Sequence, residues 1–368
     1  MSTTEILKTR VHNFSAGPAV LPEPVLERAR DELVCLPGVG ASVLEISHRS
    51  SDFKQILANA EQKLTKLLKI PENYRILFLQ GGSRLQFSMI PQNLATPEQT
   101  AQYIITGTWG KKAFAEAKKE CQAEVVWSGD ADNYHRVPSP DEYTLRADAA
   151  YVYYTSNETI QGVQFPAEPV AEAPLVCDAS SDFLCRPLPI NKYGLLYACA
   201  QKNSGPAGVT TIVIREDLLA RSRDELAGYM NYQEHAKAGS MFNTPPTFAI
   251  YMVGLVADWL LNDVGGLDAM LERNQQKATM LYNAIDESGG FYRGHAQPAS
   301  RSLMNVTFVL PSKDLEAQFL HEANEHQLCN LGGHRSVGGI RASIYNALPV
   351  ASAEALRDFM VEFARKNG

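Results

Sequence analysis

Short apolar runs and amphipathic stretches alternate along the larger, N-terminal part of the chain. Residues 56–69 place apolar side chains at helical spacing, which predicts a helix with one apolar face. Seven later runs are nearly continuously apolar and rich in β-branched or aromatic residues, namely 74–80, 101–107, 123–129, 150–156, 174–180, 195–202 and 209–215. Such runs are typical of strands buried on both faces. With helical stretches such as 110–121 between them, they predict an α/β fold with a mainly parallel central sheet.

The alternation of apolar runs and amphipathic stretches changes after a mostly apolar helix predicted at 244–261. A polar helical stretch, 267–288, is followed by a strand within 301–311, a helix at 314–327, a strand at 339–345 and a closing helix at 352–366. This order predicts a smaller α+β domain. We therefore expect a large domain over residues 16–261, a small domain over 262–368, and an N-terminal segment, 1–15, that packs with the small domain.

Composition and charge narrow the class of protein. The 368 residues carry a formal net charge of −7, which argues against nonspecific binding to nucleic acid or anionic membranes. The first fifteen residues lack the apolar core of a signal peptide, and no run reaches the roughly 18 consecutive apolar residues of a membrane helix. The six cysteines are scattered without metal-like spacing. We expect a cytoplasmic protein with reduced thiols and no metal site.

Chemically useful residues follow several of the predicted strands. Gly81-Gly82-Ser83-Arg84 follows the first strand, where glycines and a helix N-terminus would suit a phosphate, although a plain turn is the commoner outcome. Trp109 follows the second strand and either stacks on an aromatic ligand or covers the sheet edge. Asp178 ends another strand, as a cap or as the partner of a cation. Lys202 leaves a further strand, either as a surface lysine or as a functional amine.

Taken together, three of these side chains match the needs of pyridoxal 5'-phosphate. The cofactor requires an amine to bind its aldehyde, an acid to keep its ring nitrogen protonated, and an aromatic cover. Lys202, Asp178 and Trp109 supply these groups. A nucleotide-dependent oxidoreductase is disfavoured, because no G-x-G-x-x-G follows a strand.

Longer motifs resemble the phosphoserine aminotransferase family, a group within the fold-type-I, class V aminotransferases that depend on pyridoxal phosphate. The similarity runs from Asn13 to the C-terminus through NFSAGPAVLPEPVL (13–26), SHR (47–49), FLQGGSRLQF (78–87), TGTWGKKAFAEAKK (106–119), SNETIQG (156–162), AQKNSGPAG (200–208), NTPPTF (243–248) and GHRSVGGIRASIYNALP (333–349). The resemblance implies that family's α/β fold, with a large cofactor-binding domain and a smaller one.

Specific roles follow from the resemblance, position by position. It implies that Lys202 and Asp178 are catalytic, the first holding the cofactor aldehyde and the second its ring nitrogen. Trp109 would stack on the ring and Thr159 would bind the ring hydroxyl. The cofactor phosphate would be held by Ser83, Arg84 and Gln201, and, from the opposite subunit of a homodimer with shared sites, by Asn243 and Thr244. The substrate would contact His48, Arg49, His334, Arg335 and Arg341, because arginine forks suit both carboxylate and phosphate.

The implied reaction is ping-pong transamination of 3-phosphohydroxypyruvate with L-glutamate, giving O-phospho-L-serine and 2-oxoglutarate in serine biosynthesis. Some relatives also catalyse the phosphohydroxythreonine step of vitamin B6 biosynthesis, and the sequence does not decide that substrate. Another class V aminotransferase, of the alanine–glyoxylate or serine–pyruvate type, and a catalytically idle scaffold remain as alternatives. A cysteine desulfurase is disfavoured because no cysteine is expected in an exposed glycine-rich loop.

Three positions depart from the family pattern. Ala16 stands where relatives often have a second serine, Ala179 follows Asp178 in place of a larger apolar residue, and Ser204 occupies an apolar position. All three substitutions are small and lie near the expected cofactor site. They leave the predicted chemistry intact.

Overall fold

A computed structural model describes residues 10–335 and 337–368 of the chain. In chain order its strands are β1 (His12–Asn13), β2 (Tyr74–Leu79), β3 (Thr100–Ile105), β4 (Gln122–Ser128), β5 (Tyr151–Thr155), β6 (Asn157–Glu158), β7 (Val163–Gln164), β8 (Leu175–Asp178), β9 (Tyr193–Cys199), β10 (Thr210–Arg215), β11 (Arg293–Gly294), β12 (Asn305–Val309), β13 (Leu328–Cys329) and β14 (Ile340–Ser343). Its α-helices are α1 (Glu23–Leu33), α2 (Ser51–Leu68), α3 (Gly82–Leu94), α4 (Thr108–Ala117), α5 (Glu216–Leu219), α6 (Tyr232–Lys237), α7 (Thr247–Trp259), α8 (Leu267–Asp286), α9 (Lys313–Glu325) and α10 (Val350–Asn367).

The central sheet has seven strands in the order β2-β10-β9-β8-β5-β3-β4. All seven lie within or close to the predicted apolar runs, and six of them are mostly buried, as expected for a sheet covered on both faces. The edge strand β4 has no buried residue, so the expectation that the run 123–129 is buried on both faces was wrong. Only β10 runs antiparallel to its neighbours, β2 and β9. The link from β9 to β10, residues 200–209, is too short for the helical crossover that a parallel pair needs. The prediction of a mainly parallel α/β sheet is confirmed.

Two apolar layers cover the sheet. On one side α2 and α7 pack against each other, with Phe53, Leu57, Leu64, Ile250 and Val253 among their buried side chains. The other layer contains α3 and α4, with Phe87, Ile90 and Ala113. The segment Thr247–Val264, which includes α7, is long and apolar enough to cross a membrane, but 61% of it is buried inside the fold. Most of this segment is therefore packed like a core helix of a globular fold.

The C-terminal part of the chain builds a second, smaller core. An antiparallel sheet of β11, β12 and β14 packs with α8, α9 and α10 around side chains that include Phe308, Phe319 and Phe363. β1 pairs in parallel with β13, and the adjoining Phe14 is fully buried in this core. Residues 1–9 of the predicted N-terminal segment lie outside the described residues, and the boundaries after residues 15 and 261 stay predictions.

Candidate active site

The amine of Lys202 lies just beyond the end of β9, in a group of hydroxyls. Its Nζ donates to Thr159 Oγ1 at 2.7 Å and to Ser181 Oγ at 2.9 Å, and those two hydroxyls hydrogen-bond each other. The same Nζ lies 5.8 Å from the centre of the Trp109 ring. The structure thus brings together three of the predicted cofactor residues, with Ser181 as an unpredicted fourth.

Asp178 is a buried carboxylate at the end of β8, only 4% exposed. Its Oδ1 accepts the backbone N–H of Ser180 at 2.9 Å, and its Oδ2 accepts the hydroxyl of Tyr197 at 2.8 Å. Both donors are neutral, and no Lys, Arg or His among the described residues forms an ion pair with it. A buried carboxylate calls for a positive charge. A protonated pyridine nitrogen is a cation of suitable size for this position.

A tight turn joins β2 to α3 and forms an anion cradle. Gly81 and Gly82 have φ angles of +88° and +63°, in the left-handed region that glycine tolerates. Ser83 and Arg84 then occupy the first turn of α3, where the helix dipole favours an anion, and the backbone N–H of Ser83 donates to Cys199 Sγ at 3.0 Å. The Ser83 hydroxyl lies 3.2 Å from the hydroxyl of Ser180, so the cradle adjoins the Asp178 strand end.

The remaining predicted cofactor residues lie around this cradle. The carbonyl of Gln201, next to Lys202, accepts the N–H of Ala19 at 2.8 Å. Asn243 donates from Nδ2 to Gln80 Oε1 at 2.9 Å, immediately before the glycine turn of its own chain, and Thr244 is exposed. Amine, uncompensated carboxylate, aromatic ring and anion cradle together fit pyridoxal phosphate.

A cluster of cations lies beside these groups. Lys112, which the sequence did not single out, places Nζ 4.5 Å from the centre of the Trp109 ring. Burial lowers its pKa, and the nearby Arg84 and Arg335 lower it further. Burial likewise lowers the pKa of His334, with added repulsion from Arg341, Lys112 and Arg335. Arg84 and Arg335 therefore lie within electrostatic reach of Lys112, and Arg335, Arg341 and Lys112 lie within reach of His334.

One carboxylate near this cluster, that of Glu158, raises the pKa of Lys112 against the effects of burial and the arginines. Within residues 10–335 and 337–368, none of Arg84, Lys112, Arg335 and Arg341 forms a salt bridge with Asp or Glu. Burial also lowers the pKa of Arg341, whose guanidinium is only partly exposed. Grouped positive charges repel each other, and a bound anion would relieve that repulsion.

His48 and Arg49 are not joined to this group. They lie in the loop between α1 and α2, where Arg49 is exposed and its backbone N–H donates to Ser47 Oγ at 3.2 Å. In the part of the chain that the structure describes, no hydrogen bond or ion pair links either side chain to Lys202. Cys35 is exposed in the same loop, near Gly38 and Gly40, so the expectation that no cysteine lies in an exposed glycine-rich loop was wrong.

Sequence reasoning also missed Glu158, which is fully buried beside the site. Its two oxygens accept the backbone N–H groups of Trp109 at 3.0 Å and Gly110 at 2.8 Å, at the start of α4. Burial raises its pKa to about 7. The residue precedes Thr159 in the N-E-T motif, which was the available signal. Tyr197 was also missed, and its sequence signal as a site residue was weaker, because a tyrosine in an apolar run is usually a core residue.

The three departures from the family pattern lie in or next to the site. The carbonyl of Ala16 accepts the hydroxyl of Tyr345 at 2.9 Å. Ala179 is 2% exposed and packs in the core below Asp178. Ser204 is 1% exposed, and its hydroxyl has no hydrogen-bond partner among the described residues. A larger apolar residue would avoid that unpaired hydroxyl at position 204.

Comparison with known proteins gives consistent results along the whole chain. The family model Aminotransferase class-V matches residues 11–356. Phosphoserine aminotransferase from Rhodopirellula baltica is 56% identical over 97% of this chain and 96% of its own length. Its counterpart from Geobacillus kaustophilus is 52% identical over 97% and 99%.

Solved structures agree with the sequence relatives. The phosphoserine aminotransferase of Bacillus circulans subsp. alkalophilus has a TM-score of 0.95 and 48% identity, covering 98% of this chain and 99% of that one. A pyridoxal-phosphate-bound phosphoserine aminotransferase from Trichomonas vaginalis has a TM-score of 0.90 and 42% identity, covering 95% and 99%.

Proposed function

This chain belongs to the phosphoserine aminotransferase family of the class V aminotransferases, and from that premise we propose that it converts 3-phosphohydroxypyruvate and L-glutamate into O-phospho-L-serine and 2-oxoglutarate. The enzyme is a pyridoxal-phosphate-dependent transaminase of serine biosynthesis. Its two half-reactions follow a ping-pong order, since one site receives the amino donor and the amino acceptor in turn.

The cation cluster is the observation that carries the substrate assignment. 3-Phosphohydroxypyruvate bears a carboxylate and a phosphate, and glutamate bears two carboxylates. Arg341, Arg335 and Lys112 present positive charge and form no salt bridge with Asp or Glu among the described residues, so paired anionic groups complete the site. Pyruvate and glyoxylate carry one anionic group and would leave part of that charge uncompensated.

The chain's own residues manage the protons. When bound, pyridoxal phosphate supplies a positively charged ring that accepts electrons from the substrate α carbon. Asp178 holds the proton on the ring nitrogen, and Trp109 covers the ring. Lys202 Nζ, positioned by Thr159 and Ser181, would take the proton from the substrate α carbon and deliver it to the cofactor carbon bonded to the transferred nitrogen, since a tethered base replaces a bimolecular encounter.

We propose further that the enzyme is a homodimer with shared sites, as its family implies. Support comes from the predicted substrate residues His48 and Arg49, which lie on an exposed loop without described contacts to the Lys202 group. The net charge of −7 and the six free cysteines support a cytoplasmic protein that does not bind nucleic acid or membranes.

A panel of amino acceptors with glutamate as donor tests the substrate assignment. We expect kcat/KM for phosphohydroxypyruvate to exceed that for pyruvate and glyoxylate.

Arg341→Ala should raise KM for the phosphorylated acceptor about ten-fold or more, because a charge-assisted contact is lost. Arg293→Ala, on exposed β11, is the matched control and should leave KM unchanged. Equal turnover of pyruvate would refute the assignment.

A further inference from the structure

A short chain of hydroxyl groups leads from the interior of the sheet to Asp178. The Tyr197 hydroxyl donates to Asp178 Oδ2 at 2.8 Å, and the Tyr153 hydroxyl lies 2.9 Å from that of Tyr197. β8, which carries Asp178, lies between β9, which carries Tyr197, and β5, which carries Tyr153. The two tyrosines thus approach the carboxylate from the strands on either side of it.

The direction of these hydrogen bonds follows from the number of protons. An ionised carboxylate accepts only, so the single hydroxyl proton of Tyr197 points to Asp178. The contact between the two phenols then requires Tyr153 to donate to Tyr197. Tyr197 and Tyr153 are 0% and 1% exposed, and burial raises the pKa of both hydroxyls well above 10. Both tyrosines therefore keep their protons and act as permanent donors.

The opposite oxygen of Asp178 accepts the N–H of Ser180. Donors on both oxygens satisfy the hydrogen-bonding needs of this buried carboxylate. They also fix the plane of the group. A carboxylate held in a fixed plane can keep a lone pair directed at a protonated pyridine nitrogen.

We propose that Tyr197, supported by Tyr153, is a positioning residue that holds the carboxylate of Asp178 in the orientation in which it would pair with the protonated ring nitrogen of the bound cofactor. The proposal rests on the proposed function and deepens it, since it concerns how the site maintains the charge of its cofactor. Tyr197 acts only through Asp178.

A second tyrosine pair in the same sheet offers a matched control. The hydroxyls of Tyr103 and Tyr151 lie 2.7 Å apart, and both residues are 1% exposed or less. Tyr103 also stacks on Tyr153, with ring centres 5.0 Å apart. Neither hydroxyl of this pair hydrogen-bonds Asp178. Removing one of them costs a buried hydrogen bond between phenols without changing the donors to the carboxylate.

The experiment compares Tyr197→Phe, Tyr153→Phe and Tyr151→Phe as purified holoenzymes. The first measurement is the dissociation constant of pyridoxal phosphate from each protein. The second is the pH midpoint of the change in the cofactor absorbance. We expect Tyr197→Phe to weaken cofactor binding about ten-fold, because a hydrogen bond to a charged group is lost.

The pH midpoint of the change in cofactor absorbance should also shift, and the charge on the cofactor ring sets the direction of that shift. A ring with less positive charge withdraws fewer electrons, so the nitrogen joined to Lys202 holds its proton more tightly. The midpoint should therefore rise in Tyr197→Phe, rise less in Tyr153→Phe, and stay at the wild-type value in Tyr151→Phe. A purely structural role for Tyr197 would not produce this order.

Equal cofactor affinity and equal midpoints in Tyr197→Phe and Tyr151→Phe would overturn the proposal. If Tyr197→Phe does not fold, Tyr153→Phe tests the proposal instead. It removes the hydroxyl that supports Tyr197 and leaves the hydrogen bond from Tyr197 to Asp178 in place. Wild-type protein that neither binds pyridoxal phosphate nor transaminates would instead refute the proposed function. The two failures are therefore distinguishable.

Discussion

Two buried carboxylates near the cofactor site differ in what their oxygens contact. Asp178 accepts hydrogen bonds from one backbone amide and one phenol. Glu158 accepts the two amides that begin α4 and so fixes the backbone that carries Trp109. An acid at a helix N-terminus is favourable, whereas full burial opposes its ionisation. For Glu158 burial dominates, and its pKa rises to about 7.

The raised pKa of Glu158 makes its contribution to the free energy of unfolding depend on pH. Its ordinary pKa is 4.5, so between about pH 4.5 and 7 the folded protein binds this proton more tightly than the unfolded chain. Its contribution to stability therefore falls as the pH rises through that window. Glu158→Gln cannot ionise, and the wild type should lose up to about 3 kcal/mol of unfolding free energy relative to it between about pH 5 and pH 8.

Urea unfolding of both apo-proteins at the two pH values measures this difference. Glu142→Gln is the control: Glu142 is exposed, and hydrogen bonds from Arg136 and Ser139 lower its pKa to about 2. That carboxylate is ionised in both states at both pH values, so its contribution should not change. A gap between wild type and Glu158→Gln that stays constant with pH would contradict the argument.

At the scale of elements, the turn between β2 and α3 decides whether the anion cradle forms. A Cβ at Gly81 would lie 2.5 Å from Leu85 Cδ2, in addition to the cost of its φ of +88°. Gly81→Ala should therefore displace the first turn of α3 and weaken binding of pyridoxal phosphate about ten-fold or more, since the helix N-terminus is misplaced. Equilibrium titration of apo-protein with the cofactor measures the effect.

Gly289→Ala separates the effect of the clash with Leu85 from the effect of the positive φ. Gly289 also has a positive φ, +64°, but a Cβ there would contact nothing within 4 Å. The variant should lose roughly 1 kcal/mol of stability from backbone strain alone and keep wild-type cofactor affinity. If Gly81→Ala binds the cofactor as tightly as Gly289→Ala does, the turn does not control the cradle.

Six strands of the central sheet were predictable because they are buried and so leave an apolar pattern, whereas β4 was found from its β-branched and aromatic residues although it lies exposed at the edge. The site was only partly predictable. Lys202 and Asp178 stand out because charged residues at the ends of apolar runs are unusual. Tyr197 and Tyr153 resemble core residues until the strand order places them beside Asp178. Lys112 resembles any exposed lysine of an amphipathic helix until α4 brings it over Trp109.

At the scale of the whole molecule, the site draws on both parts of the chain. The Lys202 and Asp178 groups follow strands of the central sheet, whereas Arg341 lies on β14 of the C-terminal sheet. The backbone N–H of Asn346 donates to Asn203 Oδ1 at 2.9 Å, next to Lys202. This buried contact joins the segment that follows β14 to the turn that carries Lys202.

Arg49 remains outside this network, and that placement makes shared sites testable by mixing subunits. If Arg49 serves the site of the partner subunit, Lys202→Ala and Arg49→Ala fail in different ways. A hybrid dimer then contains one site with both an intact lysine and an intact partner arginine. Random reassociation makes about half of the dimers hybrid, so a mixture of the two inactive proteins should regain about a quarter of wild-type activity.

Lys202→Ala mixed with Arg341→Ala is the control for this exchange. Arg341 is linked to Lys202 within one chain, through His334, Lys112 and Trp109. Neither site of that hybrid contains both residues, so mixing should restore nothing. Recovery in the Arg49 pair alone would place the α1–α2 loop in the neighbouring site. Absence of recovery in both pairs, with hybrid formation verified by differential tagging, would place Arg49 in the site of its own chain or in neither site.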